Sequence, residues 1–174
     1  MNVLYLDSVN STMDYARENI RALDVSAIVC SRVQTSGRGQ KQRSWESPEG
    51  GLWLSIVLSK GETVLVPEPG LICSTIADHV AKKLQDRFAL VTRFKEPNDL
   101  YVGDSKLMGV LVENSFLGDK LEYSIAGVGL NVYNRVRNAE YPAVSLSELI
   151  DDFHMSLKDL LELLFKDWLN PMKN

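Results

Sequence analysis

DLYVGDSKLMGVLVENSF, residues 99–116, carries the pattern that decides the fold class. Two apolar, β-forming segments flank Gly103-Asp104, a dipeptide that is typical of a tight turn. The stretch therefore predicts a β-hairpin. Because consecutive strands are joined here by a short turn rather than by a crossover helix, we expect antiparallel pairing in this part of the sheet.

Apolar periodicity on either side of the hairpin predicts the other elements. Short or alternating apolar runs predict strands at 2–6, 27–33, 51–59, 90–95 and 121–134. Apolar residues at helical spacing predict helices at about 12–22, 71–88, 145–150 and 155–169. Ser11 or Thr12 is the expected cap of the first helix. We expect a single α+β domain over 1–174, in which a mixed or antiparallel β-sheet is flanked by helices.

Composition and charge exclude several classes of protein. The 174 residues are 45% hydrophobic and 24% charged, and the formal net charge of −4 argues against a general nucleic-acid binder. Cys30 and Cys73 lie in apolar stretches, so we expect buried free thiols rather than an ordinary zinc site. The sequence shows neither a signal-peptide pattern nor an apolar run of about 20 residues that could span a membrane. We therefore expect a cytoplasmic protein.

SGRGQKQRSWESPEGGLW, residues 36–53, is the first candidate site. Gly37 and Gly39 let backbone N–H groups approach a ligand closely, and Arg38 and Arg43 supply guanidinium groups suited to carboxylate or phosphate. The spacing matches neither a Walker loop nor a dinucleotide-binding fingerprint. A solvated turn and an anion-binding loop both remain open for this stretch.

Two further stretches contain residues that suit a ligand. In 95–113, Asp99 and Lys106 lie on opposite arms of the predicted hairpin, where the lysine can neutralise an anion and the aspartate can bind a metal or orient an amine. The alternative is a simple turn, since Asn98 and Asp99 follow Pro97 and can bond backbone groups there. GVGLN, 127–131, can lie flat against a ligand or form a structural bend.

Four segments in a fixed order carry a resemblance that none carries alone: STMDYA (11–16), QTSGRGQKQRSWESPEGGLWLS (34–55), KEPNDLYVGDSKLMGVLVE (95–113) and GVGLN (127–131). This order resembles the catalytic domain of biotin–protein ligases, with its STN, GRGRRGR-x-W, KWPNDL and GxGxN patterns. The resemblance extends from about residue 4 to about residue 165. It implies the class II synthetase-like fold of that domain.

The resemblance also implies an activity. Such a ligase joins biotin to ATP, forming biotinyl-AMP and pyrophosphate, and then passes biotin to a lysine on the biotin carboxyl carrier domain of a carboxylase. The implied substrates are ATP and biotin, with Mg²⁺. Since the sequence shows no helix-turn-helix before residue 4 and no C-terminal β-barrel, we expect a short form that binds neither DNA nor membrane. Exposed edge strands are compatible with a homodimer.

Each residue that matches a family pattern acquires an implied role. Arg38 would bind carboxylate and phosphate, Lys106 would withdraw electrons from the reacting anhydride, and Asp99 would orient the incoming lysine or help to hold Mg²⁺. These three form the expected catalytic set. The implied biotin contacts are Ser11, Thr12, Gln34, Gly37, Arg38, Lys106 and Gly109. The implied ATP or adenylate contacts are Arg38, Gly39, Gln40, Arg43, Trp45, Asn98 and Asn131.

Four positions depart from the family patterns. Met13 stands where the family usually has a polar residue such as asparagine, and Glu96 stands where it usually has a tryptophan. In the glycine-rich loop, Gln40 replaces an arginine and Gln42 replaces a glycine. Two other functions remain open, and Gln40 and Glu96 motivate the second of them. One is a lipoate or octanoate transferase-like relative, and the other is a non-catalytic module that binds biotin or a nucleotide.

Gln40 leads to the first testable prediction. A fixed cation near an anionic adenylate contributes about 1 kcal/mol in water, or about fivefold in a rate or binding constant. Gln40→Arg should therefore slow the release of biotinyl-AMP about fivefold, measured as the adenylate off-rate. Gln85→Arg, which adds the same charge to the helix predicted over 71–88, is the control. An unchanged off-rate in Gln40→Arg would contradict the hypothesis that glutamine at this position weakens the binding of biotinyl-AMP.

Overall fold

A computed structural model describes residues 2–60, 68–136 and 141–166 of the chain. Its strands are β1 (Val3–Val9), β2 (Ile28–Gln34), β3 (Leu52–Lys60), β4 (Arg93–Lys95), β5 (Asp99–Val102), β6 (Ser105–Leu117) and β7 (Lys120–Leu130). Its helices are α1 (Thr12–Glu18), α2 (Pro69–Phe88), α3 (Leu146–Leu149) and α4 (Leu157–Phe165). A short 3-10 turn, Gln40–Gln42, interrupts the glycine-rich loop.

The strands form a seven-stranded sheet in the order β1-β2-β3-β7-β6-β5-β4. β1 and β2 are parallel, and the chain crosses between them through α1, since parallel neighbours need a crossover. The other neighbouring strands are antiparallel. The expected α+β class with a mixed sheet and flanking helices is therefore confirmed. The hairpin over 99–116 is also present, and Gly103 takes the positive φ of +55° that its turn requires.

Some predicted boundaries differ from the observed ones. α1 ends at Glu18 rather than near residue 22, because the Asn19 side chain donates to the Tyr15 carbonyl at 2.9 Å and the chain then turns. Ser11 is the N-cap, but its side chain makes no capping hydrogen bond. α2 begins earlier than predicted, because Pro69 suits the first helical turn. Residues 167–169 of the last predicted helix lie outside the described residues.

The two faces of the sheet are covered unequally. The larger apolar core lies between the sheet and the helices α2 and α4, where Ile76, Val80, Leu84, Leu160 and Leu164 are fully buried. Each such side chain contributes about 1.5–3 kcal/mol by leaving water. The opposite face carries a smaller cluster around Met13 and Ala16 of α1. This thinner cover leaves room for a cavity on the α1 face.

Both cysteines are free and buried, as the sequence predicted. Burial raises the pKa of the Cys30 thiol to about 12. Burial, and to a lesser extent the negative charge of Asp99, raises the pKa of Cys73 to about 11. Both thiols are therefore neutral near pH 7. Within the described residues, no helix is long and apolar enough to cross a membrane.

Met13 packs directly on Gly127, and this contact generates a stability prediction. A Cβ added at Gly127 would lie 2.6 Å from Sδ of Met13, closer than the two atoms can approach. Gly127→Ala should therefore lower the free energy of unfolding by about 1–3 kcal/mol through overpacking, measured by urea denaturation. The double variant Gly127→Ala/Met13→Ala should lose less free energy of unfolding than the two single variants together, because the side chain that collides with the new Cβ is gone.

Gly70→Ala is the control for this prediction. Gly70 lies in the first turn of α2, where an added Cβ would meet nothing within 4 Å. This change should leave stability unchanged or raise it by reducing the freedom of the unfolded chain. Equal losses in the two alanine variants would show that the contact with Met13 is not the cause.

Candidate functional site

A cavity of about 420 Å³ lies where the glycine-rich loop, the β5–β6 hairpin and the middle of β7 meet. Met13 and Gly127 both line it, which places it on the α1 face of the sheet. The structure brings most of the residues that the sequence singled out to this one space. They are Ser11, Thr12, Gln34, Arg38, Gly39, Gln40, Arg43, Trp45, Asn98, Asp99, Lys106 and Gly109.

Glycines on neighbouring strands make a flat surface in the cavity. Gly109 of β6 and Gly129 of β7 are direct partners in the register of the sheet. Cβ atoms added there would lie 3.1 Å and 2.5 Å from the indole of Trp45. The indole therefore rests directly on the two glycines, which we call the glycine floor. Any larger side chain on this floor would push Trp45 away from the sheet.

Lys106 is held at the cavity wall by an ion pair across the hairpin. Its Nζ lies 2.7 Å from Oδ1 of Asp99, and the two side chains are only 12% and 19% exposed. The same Nζ lies 4.8 Å from the ring centroid of Trp45, within the range of a cation–π contact. Asp99 in β5 and Lys106 in β6 lie on opposite arms of the hairpin, as expected. The site thus presents one ammonium group in a fixed position.

Arg38 is shared between two carboxylates. One terminal nitrogen of its guanidinium lies 2.9 Å from Oδ1 of Asp14, and the other lies 3.1 Å from Oε1 of Glu113. Asp14 also contacts Arg17 at 2.6 Å. The arginine therefore joins the loop to α1 and β6. An incoming anion has to share or replace these carboxylates.

A buried polar network lies beside the start of α1. Oε1 of Gln34 accepts from both the backbone N–H and the hydroxyl of Thr12, at 2.8 and 3.0 Å. Nε2 of Gln34 donates to Ser47 at 2.8 Å, and the Thr12 hydroxyl is 2.7 Å from that of Ser55. Buried polar groups that satisfy one another are held rigidly. This end of the cavity can therefore recognise a polar group of defined shape.

Two residues of the predicted site do not line the cavity. Gly37 packs inside the loop, where an added Cβ would lie 2.4 Å from the carbonyl oxygen of Trp45. Asn131 is 2% exposed, and its Oδ1 accepts from Nδ2 of Asn134 at 3.0 Å. The proposed contacts of Gly37 with biotin and of Asn131 with adenine stay predictions. The structure gives both residues packing contacts instead.

Several residues of the site were not found from the sequence. The lining residues Lys41, Ser44, Lys95, Tyr101 and Tyr141 had no assigned role. Asp14 and Glu113 stand within two of the quoted segments, but only the folded chain brings them to Arg38. Tyr141 gave no local signal, because a backbone pairing between Ala143 and Lys106 brings it to the cavity.

The shared position of Arg38 generates a prediction about anion binding. Glu113→Gln removes one of the two carboxylates that compete with an anion for Arg38. Both Arg38 and Glu113 are about one-third exposed, so the loss of the pair should cost at most about 1 kcal/mol of stability. Binding of pyrophosphate, measured by calorimetry at fixed ionic strength, should tighten by up to about fivefold.

The control is Glu49→Gln, which breaks an ion pair in which Glu49 lies 2.8 Å from Arg32. Neither of these residues lines the cavity. This variant should bind pyrophosphate as the unchanged chain does. Weaker binding by Glu113→Gln would show that the carboxylate orients Arg38 for the anion instead of competing with it.

Comparison with known proteins shows to which family this chain is related. Residues 5–131 match the Biotin/lipoate A/B protein ligase family. Biotin--protein ligase 2 of Arabidopsis thaliana is 31% identical over 147 residues, which are 83% of this chain and 43% of that protein. The bifunctional ligase/repressor BirA of Bacillus subtilis is 32% identical over 135 residues, 75% of this chain and 40% of that protein. The chain thus spans less than half the length of these relatives.

Solved structures agree with the fold. The biotin protein ligase from Aquifex aeolicus in complex with biotin and ATP superposes with a TM-score of 0.83 at 28% identity, covering 99% of this chain and 72% of that one. The P. falciparum LipL1 in complex with lipoate matches with a TM-score of 0.60 at 11% identity, a likeness of fold alone. The expected class II synthetase-like fold is confirmed. Since the family match covers well over half of the chain, this protein belongs to the biotin/lipoate A/B protein ligase family.

Proposed function

We propose that this chain is a biotin–protein ligase. It activates biotin with ATP to biotinyl-AMP and transfers the biotinyl group to a lysine of a biotin carboxyl carrier domain. The observation that carries the proposal is the convergence of Lys106, Arg38 and Asp99 on one cavity with a ready polar network. The superposition on a ligase that holds biotin and ATP supports it.

The polar groups of Ser11, Thr12 and Gln34, which line the cavity, are the proposed site for the ureido ring of biotin. The ring has both donors and acceptors, and leaving them unpaired on burial would cost about 1–3 kcal/mol per group. Gln34 offers an amide, and Ser11 and Thr12 offer hydroxyls, which can both donate and accept. The apolar part of the ligand would lie against Gly109 once the indole of Trp45 has moved aside.

The first step joins two anions, so its main obstacle is electrostatic. A carboxylate oxygen of biotin attacks the α-phosphorus of ATP, the bond to the bridging oxygen breaks, and pyrophosphate leaves with that electron pair. Lys106 and Arg38 neutralise the charge that gathers on the carboxylate and the phosphate. Such fixed charges need no reorganisation during the reaction, and removal of one donor of this kind costs about 10²–10³ in rate.

The second step transfers the biotinyl group to an amine. The acceptor lysine attacks the carbonyl carbon of the mixed anhydride, the bond to the phosphate oxygen breaks, and AMP leaves as the amine loses a proton. Asp99 would orient this amine through its carboxylate. Because Asp99 already contacts Lys106 at 2.7 Å, the attacking amine would lie next to the anhydride that Lys106 polarises.

Mg²⁺ fits this site as a companion of the nucleotide. Within the described residues, no three histidine, cysteine or carboxylate side chains form a group that could hold a metal. Mg²⁺ commonly binds through one or two carboxylates together with substrate phosphates. Asp99 would supply the carboxylate, and the ion would supply further neutralisation of phosphate charge.

The same proposal places the protein in the cytoplasm with a carboxylase carrier domain as its partner. Two free, buried thiols suit a reducing compartment.

Release of pyrophosphate on adding biotin and ATP is the test of this function, followed by labelling of a carrier domain. We expect release with biotin, and a loss of about 10²–10³ in rate for Lys106→Gln. Lys120→Gln, an exposed lysine at the start of β7, is the matched control and should keep full activity.

Three results would point elsewhere. Release of pyrophosphate with lipoate but not with biotin would place the chain in the lipoate branch of the family. Binding of biotin without release at any enzyme concentration would identify a non-catalytic module. Unchanged activity in Lys106→Gln would remove this residue from the mechanism.

A further inference from the structure

Tyr141 touches two cations that belong to different parts of the chain. Nη1 of Arg43 donates to the Tyr141 hydroxyl at 2.7 Å. Nζ of Lys106 lies 5.7 Å from the centroid of the Tyr141 ring, and the Arg43 guanidinium carbon lies 5.9 Å from it. All three residues line the cavity. One aromatic side chain therefore contacts a cation of the glycine-rich loop and a cation of β6.

The backbone fixes Tyr141 relative to Lys106. The amide of Lys106 donates to the Pro142 carbonyl at 2.8 Å, and its carbonyl accepts from the amide of Val144 at 3.0 Å. Immediately afterwards, the capping box between Ser145 and Glu148 fixes the start of α3. Tyr141 is thus attached to the backbone of the residue whose ammonium group it faces, and Arg43 reaches it from a separate segment.

The chemistry of a tyrosine suits this position. Two cations side by side repel each other, and the repulsion grows as water is excluded. The phenol oxygen can accept from a guanidinium, while the negative face of the ring attracts an ammonium group. Tyr141 therefore stabilises both charges at short range without neutralising either. A carboxylate in the same place would cancel the charge that an anionic ligand needs.

We propose that Tyr141 is a positioning residue for the phosphates of the nucleotide. It holds Arg43 beside Lys106, so that both cations face the same polyphosphate. This inference rests on the proposed function, because it takes ATP as the ligand of the cavity. It assigns Tyr141 to the nucleotide and not to biotin, whose proposed ring site involves Ser11, Thr12 and Gln34.

Two variants separate the hydrogen bond of Tyr141 from its ring contacts. Tyr141→Phe keeps the ring but removes the acceptor for Arg43, and Tyr141→Leu removes the acceptor and the ring together. For Tyr141→Phe we expect the Kd and KM for ATP to rise about threefold to tenfold, the usual effect of one lost hydrogen bond, with the Kd for biotin unchanged. Tyr141→Leu should also lower kcat, because Lys106 loses the ring.

Tyr133→Phe is the matched control. The Tyr133 hydroxyl donates to the Met155 carbonyl at 2.7 Å, and Tyr133 is not among the lining residues. Tyr133→Phe therefore removes a hydrogen bond of the same length as that of Tyr141, but this bond does not involve a cation of the cavity. Its ATP binding should match that of the unchanged chain. In addition, Tyr141→Phe should have little further effect in an Arg43→Gln background, since the bonded partner is gone.

Calorimetric binding of ATP and of biotin, done beside the pyrophosphate assay, distinguishes the outcomes. If the unchanged chain binds ATP and releases pyrophosphate but Tyr141→Phe binds ATP equally well, the inference alone is overturned. Equal weakening of ATP and biotin also overturns it, because that result indicates a general structural role. If pyrophosphate is never released but Tyr141→Phe still weakens ATP selectively, the proposed function fails and the role of Tyr141 stands. A chain that binds no ATP overturns both.

Discussion

The ion pair between Lys106 and Asp99 is the interaction around which the site is arranged. A mostly buried pair gains little stability overall, because desolvation of the two charges offsets their attraction, but loss of one partner leaves a costly buried charge. The pair therefore constrains its surroundings. It fixes the two arms of the β5–β6 hairpin, and its ammonium group contacts the indole of Trp45. The segment that carries Tyr141 pairs with the backbone of the same lysine.

The glycine floor has a cost in stability that the rest of the site offsets. Glycine inside a strand loses more conformational freedom on folding and has no side chain to pack. Gly109 and Gly129 are nevertheless paired directly across β6 and β7. Trp45 covers both of them and so replaces the missing packing. Because the indole comes from a loop and not from the sheet, this cover can move aside for a flat ligand more easily than a strand side chain could.

The sequence predicts the fold better than it predicts the contacts of the site. The β5–β6 hairpin follows from local signals, a Gly-Asp turn between two apolar runs, and the position of Lys106 opposite Asp99 follows from it. The environment of Asn131 does not, because its backbone carbonyl accepts from the amide of Leu146 in α3, a contact that only the folded chain makes. The partners of Arg38 are equally non-local, since Asp14 and Glu113 approach it only after α1 and β6 have docked on the sheet. Tyr141 reaches the cavity through one pairing with a strand far away in the chain, and no periodicity reports such a pairing.

The charges of the site are paired before any ligand arrives. Asp99 is 2.7 Å from Lys106, and Asp14 and Glu113 are within 3.1 Å of Arg38, so these two cations are held in place at low electrostatic cost. An anion that enters the cavity can exchange with carboxylates without having to order two flexible side chains, and this preorganisation is what makes fixed charges effective. Arg43 donates to the phenol oxygen of Tyr141 at 2.7 Å, a contact that leaves the charge of the guanidinium unchanged. The same segment has glutamine at position 40, where the ligase family usually has a further arginine. With one fixed cation fewer in the loop, a larger share of the attraction for a polyphosphate falls on Arg43. The position of this guanidinium then matters more than it would in a loop with several arginines, and the proposed role of Tyr141 is to help set it.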